Sequence, residues 1–234
     1  MAFPISEIQY NKLFPNRNDI FTYQALVEAA SKYPEFLNEG TDDTRLNELI
    51  AFLANVSHET TGGWPTAPGG PYAWGLHFAQ EVGCETGNCT QYTDQNSRFK
   101  PEPGQTYQGR GAIQLSWNYN YGQASEAIFG DASVLLKEPS LVVQEPILAW
   151  QTAIWFWMTP QPPKPSCHEV MVGNPSAYDG DLFGETINII NGGVECGKGM
   201  NRQLENRIGF YKHFATQLNA NVPPTLGSYC AFKK

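Results

Sequence analysis

The sequence predicts a mainly α-helical, α+β domain with long Gly-rich loops, a minor β-hairpin and a cleft between two helical groups. Three observations predict it. Leu46, Leu49, Ile50, Leu53 and Val56 recur at three- and four-residue steps, the period of one helix face. Residues 147–158 are apolar almost all round, with Trp150, Trp155, Phe156 and Trp157, as in a helix buried on every side. Between these two stretches, residues 62–111 are rich in glycine and proline and lack helical periodicity. A loop segment of that length is usually functional. No internal repeat and no low-complexity linker divides the chain, so residues 1–234 read as a single domain.

The elements follow in order. Thr22 suits the N-cap of a first helix that runs to Tyr33 and is stopped by Pro34. Asp42 and Asp43 suit the start of a long helix over 44–60. After the loop segment, helical pattern returns beyond Ser116 and runs to Phe129, with Gly130 as its stop. Pro146 opens the buried helix 147–158, and Pro160, Pro162, Pro163 and Pro165 end it. A shorter helix over 182–190 is expected to stop at Gly192 and Gly193. The last, 200–218, carries Leu204, Ile208, Tyr211, Phe214 and Leu218 on one face.

Composition narrows the function. At 41% apolar and 16% charged residues the chain packs a core and is not disordered. Its net charge of −8, with scattered Lys and Arg, argues against a nucleic-acid partner and fits a neutral polymer better. No apolar run approaches a membrane span, so no membrane partner is expected either. The 13 Phe, 11 Tyr and 6 Trp exceed what a core needs, and those beside Gly and Pro suit surfaces that stack on sugar rings. The residues after Met1 show no signal peptide. A monomer is expected.

Five cysteines leave one over. Cys84 and Cys89 bracket a turn-like ETGN and can close a small loop; Cys196 and Cys230 can tie the tail to the body, leaving Cys167 as a buried thiol. Spacing alone leaves other connectivities open. Two disulfides imply an oxidising compartment. No Cys/His spacing resembles a zinc site, and His58-Glu59 lacks the second His of a metalloprotease helix. No metal or cofactor is expected.

The chemistry centres on SHETTGGW, residues 57–64, which sets a carboxylate, Glu59, at the end of the long helix before Gly62 and Gly63 break it. At about 100° per residue, Glu59 lies on the flank of the apolar stripe, in line with Phe52 and Val56. A carboxyl group half out of water there favours its proton-donating form, as a general acid requires. A second carboxylate, Glu81, follows in PYAWGLHFAQE. Glycoside hydrolysis commonly uses two carboxyl groups flanking the scissile bond. Sequence separation gives no distance between these two, so unaided the pairing is weak.

SHETTGGW, PYAWG with Glu81, YQGRGAIQLSWNYNYG (107–122), AIWFWMTPQPPKPSCH (153–168), INIINGGVECG (187–197) and NRIGFYK (206–212) together resemble the family 19 chitinases. The likeness runs from about Leu46 to the end. It implies a lysozyme-like, mostly helical two-lobed fold that hydrolyses β-1,4-linked N-acetylglucosamine polymers with inversion, endo-acting on chitin or chitooligosaccharides. By that resemblance Glu59 is the general acid, Glu81 the base that activates water, and Ser116 the residue that helps hold that water. The two carboxyls would stand about 6.5–9.5 Å apart, leaving room for the water. The resemblance also assigns His58, Thr61, Trp64, Tyr107, Gln114, Asn120, Gln161, Lys164 and Asn191 to the substrate cleft. Glu195 and Arg207 resemble a charged pair that orients Glu59. A secreted, extracellular enzyme is expected.

Departures stand beside the match. His77 occupies a position where many relatives carry Cys, and residues 84–103 fit no pattern of the family. The nearest rival keeps both glutamates but cuts peptidoglycan, as an endolysin does; the AWG and QPPKP loops favour chitin. A chitin-binding lectin that has lost catalysis would show a substituted acid or base, and both are present.

Overall fold

The computed structural model describes residues 2–233. It contains ten α-helices among those residues: α1 (Glu7–Leu13), α2 (Tyr23–Ala30), α3 (Asp42–Glu59), α4 (Asn118–Phe129), α5 (Ser133–Lys137), α6 (Pro146–Met158), α7 (Cys167–Met171), α8 (Leu182–Glu195), α9 (Arg202–Leu218) and α10 (Ser228–Ala231). Two short 3₁₀ turns, Pro139–Val143 and Pro175–Tyr178, join them.

The ends of the long helices have local causes. Thr22 caps α2 by accepting from the Ala25 N–H, and Gly130 closes α4 in the left-handed conformation. The cap of α3 is Thr41, accepting from the Thr44 N–H; Asp42 and Asp43 stand in its first turn, where their charge opposes the helix dipole. Helix α2 stops at Ala30, short of Tyr33. Helix α9 starts at Arg202, two residues later than expected, because Asn201 caps it through the Leu204 N–H.

Three expectations need correction. A seven-residue helix, α1, precedes α2 and is held by a reciprocal cap between Ser6 and Gln9. Helix α8 does not stop at Gly192 but continues to Glu195, with a single break at Asn191 (φ −145°, ψ 29°). The hairpin is reduced to isolated bridges, Gln80 with Arg110 and Arg110 with Leu115, and a third joins Gln161 to Lys164.

Helix α6 forms the centre. Trp150 meets Phe21, Phe52 and Tyr10 with ring centroids 5.6, 6.1 and 6.5 Å apart, and Trp157 meets Phe52 at 5.4 Å. These rings are fully buried, and edge-on contacts of this kind add to the area they remove from water. Helix α3 packs along α9, and α2 along α6. A carboxylate is sealed into this core: Glu48 accepts from Trp157 Nε1 (3.0 Å) and the Leu37 N–H (3.2 Å), and pairs with His168 Nδ1 at 2.7 Å.

Both disulfides form as expected. Cys84–Cys89 closes a loop within the irregular segment, and Cys196–Cys230 ties α10 to the end of α8. Cys167 is a buried free thiol whose ionisation burial pushes well up, so it behaves as an apolar side chain.

Candidate active site

The last residue of α3 is Glu59. Thr60 ends the helix by folding its hydroxyl back onto the Val56 carbonyl (2.7 Å). It then takes the Leu76 N–H on that same hydroxyl and the Phe78 N–H on its carbonyl, both at 2.9 Å. The loop that leads to Glu81 is therefore pinned to the helix that carries Glu59. Gly75 permits the approach: a Cβ there would lie 2.7 Å from Ser57 Oγ and 3.0 Å from the Phe14 ring.

Behind Glu59 lies Arg207 of α9, fully buried. Its Nε and Nη2 bind the Glu195 carboxylate at 2.9 and 2.8 Å, its Nη1 binds Asn55 Oδ1 at 3.0 Å, and Nη2 also reaches Glu59 Oε1 at 2.5 Å. Asn55 is fixed in turn by the Ala51 carbonyl and Thr186, and Glu195 also takes a bond from Asn191 Nδ2 at 2.9 Å. Burial alone would raise the Glu195 carboxyl, but the hydrogen bonds and charge of Arg207 outweigh it and hold it below the usual range. The same two glutamates outweigh burial at Arg207 and raise it further. Arg207 thus favours the charged form of Glu195. Glu59 itself is only 20% exposed, and its Oε2 has no hydrogen-bond partner among the described residues.

Glu59 forms one wall of a cavity of about 310 Å³. The other walls are Phe156 of α6, Ile190 and Asn191 at the break in α8, and the turn 113–120. That turn holds Gln114 at φ 51° and Trp117 at φ 74°. A bulky residue at positive φ is strained, and such strain concentrates at functional sites. Bridges to Arg110 and the bond from the Trp117 N–H to the Tyr107 carbonyl (2.9 Å) hold the turn in place, so that Gln114, Ser116, Trp117 and Asn120 face the cavity. Ser116 Oγ donates to the Gln114 carbonyl at 3.3 Å, a long bond that leaves the hydroxyl free to turn to a ligand.

Glu81 does not line the cavity and is bonded to Gly109, just before that turn. Its N–H bonds the Gly109 carbonyl (2.8 Å), the Gly109 N–H returns to Glu81 Oε2 (3.2 Å), and Tyr92 Oη donates to Oε1 (2.7 Å). Gly109 in turn lies against Gln114 of the cavity wall, where an added Cβ would stand 2.9 Å from Gln114 Oε1.

Of the residues expected in the cleft, Glu59, Gln114, Ser116, Asn120 and Asn191 meet around this cavity. Two are turned elsewhere. Tyr107 is fully buried, its hydroxyl donating to the Leu136 carbonyl and accepting from the Glu102 N–H, so it has no face or edge for a sugar. His58 is 7% exposed and holds Asn206 Oδ1 through Nδ1 at 2.8 Å. Burial and then the Arg207 charge push His58 down to about 4, so it is neutral near pH 7 and serves the scaffold. Thr61, Trp64, Gln161 and Lys164 lie outside the cavity wall. Thr61 bonds the Ser57 carbonyl (3.0 Å), and Lys164 Nζ the Asn188 carbonyl. Trp64 is 38% exposed and packs on Trp74 with centroids 5.3 Å apart.

Several wall residues were not singled out from the sequence. Phe156 lies in a helix that reads as buried, Ile190 at the end of another, and Trp117 and Tyr119 inside the motif 107–122. Asn55 gives no signal in the sequence, being one of several polar residues of α3.

A carboxyl group at the end of a rigid helix, on the wall of a cavity lined by amides and aromatic rings, is the kind of site a helical glycoside hydrolase has. Residues 5–227 match the family described as class I chitinase, glycoside hydrolase family 19. Endochitinase A2 of Pisum sativum is 48% identical over 239 residues, covering 96% of this chain and 71% of that one. Chitinase C of Streptomyces griseus superposes with a TM-score of 0.78 at 39% identity, over 95% of this chain and 96% of that one. An inactive chitinase-like protein of Hevea brasiliensis is 42% identical over 96% of this chain and 74% of its own. The chain belongs to glycoside hydrolase family 19 and has its lysozyme-like fold.

Proposed function

We propose that Glu59 and Glu81 are the acid and the base with which this family 19 enzyme hydrolyses internal β-1,4 bonds of chitin and N-acetylglucosamine oligomers. Glu59 donates its proton to the glycosidic oxygen as the bond to the anomeric carbon breaks. Glu81 takes a proton from a water on the opposite face, and that water's oxygen bonds to the anomeric carbon with inversion. Ser116 helps to hold the water. Gln114, Asn120 and Asn191 offer amide contacts to N-acetyl and hydroxyl groups. Arg207 and Glu195 hold Glu59 at one oxygen and leave the other for the substrate.

The observation that carries this reading is Glu59 on the wall of the cavity, anchored from behind through Oε1 and facing the turn that follows Gly109, to which Glu81 is bonded. Since a relative called inactive shares the fold, the two carboxylates matter more than the likeness. Their retention favours catalysis over a lectin role, and the run of endochitinase relatives favours chitin over peptidoglycan. Two disulfides suit a secreted enzyme, acting as a monomer outside the cell.

Glu59→Gln and Glu81→Gln test it. General acid and base groups contribute about 10²–10⁴-fold. Each variant should cut chitin hexaose at least about a hundredfold more slowly while melting like the native enzyme. Near-native turnover in either would remove that residue from its role.

A further inference from the structure

The segment 84–103 carries none of the motifs that the sequence shares with the family, yet it supplies a partner to the proposed base. We infer that Tyr92 is a positioning residue for Glu81, its hydroxyl fixing the orientation of the carboxylate. This rests on the reading of Glu81 as the base.

The geometry is specific. Tyr92 Oη meets Glu81 Oε1 at 2.7 Å and the Gly109 N–H meets Oε2 at 3.2 Å, so one donor on each oxygen sets the plane of the carboxylate. An ionised carboxylate offers about four lone-pair sites, so positions remain for a water. The Gly109 donor is main chain and survives any substitution, which makes Tyr92 the donor that can be removed.

An irregular loop can hold a ring this accurately because it is strapped at both ends. Before Tyr92, the Cys84–Cys89 disulfide closes the turn that starts at Glu81, and Gln108 Nε2 bonds the Cys84 carbonyl at 3.1 Å. After it, the buried Asn118 at the start of α4 takes the Asp94 N–H on Oδ1 (2.7 Å) and gives Nδ2 to the Asp94 and Phe99 carbonyls (3.0 and 2.6 Å). The Asn118 N–H also bonds the Tyr92 carbonyl at 3.2 Å. Phe99 then lies flat on Gly122, where a Cβ would stand 2.5 Å from its ring. Tyr92 meets Trp117 edge-on at 5.7 Å, and Trp117 stacks on Tyr119 with planes 22° apart; both of those rings wall the cavity.

Burial, and then the bond and charge of Glu81, raise the Tyr92 hydroxyl, so it stays a donor over the working pH range. Tyr121 also feels the Glu81 charge, and its hydroxyl takes a bond from the Arg110 guanidinium at 3.1 Å. Neither is altered by deleting the Tyr92 hydroxyl.

Kinetics of Tyr92→Phe on chitin hexaose test the inference, with Glu81→Gln as the companion. Deleting the hydroxyl should lower kcat about tenfold and leave KM within about twofold. The melting point should stay close to native, since the hydroxyl is only half-buried. A raised KM with kcat unchanged would make Tyr92 a substrate contact, and a kcat loss matched by a clearly lowered melting point would make it scaffold; either overturns the inference. Native kinetics in Tyr92→Phe with an inactive Glu81→Gln would also overturn it, while leaving the base in place. An active Glu81→Gln would instead remove the base itself.

Discussion

Replacing Arg207 by Met removes the charge at the centre of the acid's support while nearly keeping its volume. In the native enzyme its guanidinium is fully buried and serves Glu195, Asn55 and Glu59. After the change Glu195, 1% exposed, is a carboxylate with no cation, and Asn55 Oδ1 loses its donor; Glu59 at 20% exposure recovers water. Breaking a buried pair from one side costs about 3–5 kcal/mol. An orphaned buried acceptor adds about 1–3 kcal/mol. For a domain of this size about 5 kcal/mol corresponds to a melting point lower by roughly 10–20 °C. Thermal unfolding followed by circular dichroism reads it.

The pH dependence should change sign. Native Glu195 is held below its ordinary value of 4.5, so its stabilisation is present above that pH and fades as pH falls through the lower folded value. In Arg207→Met the unpaired carboxylate destabilises at neutral pH, and acid relieves it. Adding Glu195→Gln should restore most of the loss without restoring turnover, because Glu59 still lacks its anchor. A melting point for Arg207→Met within about 3 °C of native, or no recovery in the double variant, would refute the reasoning.

Two further predictions concern stability. His58 titrates at about 4 in the fold against 6.5 when free, so its contribution is complete above pH 6.5 and is lost as pH falls toward about 4. That amounts to roughly 3 kcal/mol, and chemical denaturation of His58→Gln at several pH values should show that slope removed; an unchanged slope would assign it elsewhere. The Cys196–Cys230 link spans 34 residues, so Cys196→Ser with Cys230→Ser should cost about 3–4 kcal/mol. Its melting point should fall by roughly 6–16 °C with kcat little changed, and a fall under about 3 °C would show that the tail docks without the link.

The long helices were legible because their signals repeat. Helix α6 runs from Pro146 to Met158, as its proline bounds and apolar surface required, and α3 followed from five apolar residues on one stripe. Helix α1 is too short for periodicity to register, although its Ser6–Gln9 cap stood in the sequence. Gly192 and Gly193 misled because a glycine pair reads as a stop. In the fold Gly192 is there for space, since a Cβ would lie 2.3 Å from Asn188 Oδ1. Within motifs, sequence gives neighbours but not side-chain direction. Hence His58 and Tyr107 were placed in the cleft when both point into the protein. The wall of the cavity is drawn from α3, α6, α8 and the turn before α4, and no sequence pattern encodes distances across such separations. Tyr92 lay in a segment with no periodicity and no motif, where only coordinates reveal what a hydroxyl touches.

The most direct measurement is proton NMR of the products within minutes of adding enzyme to chitin hexaose. Single displacement by water from the face opposite Glu59 predicts fresh α-anomer at the new reducing ends. Fresh β-anomer would mean a retaining reaction and would contradict Glu81 as the base.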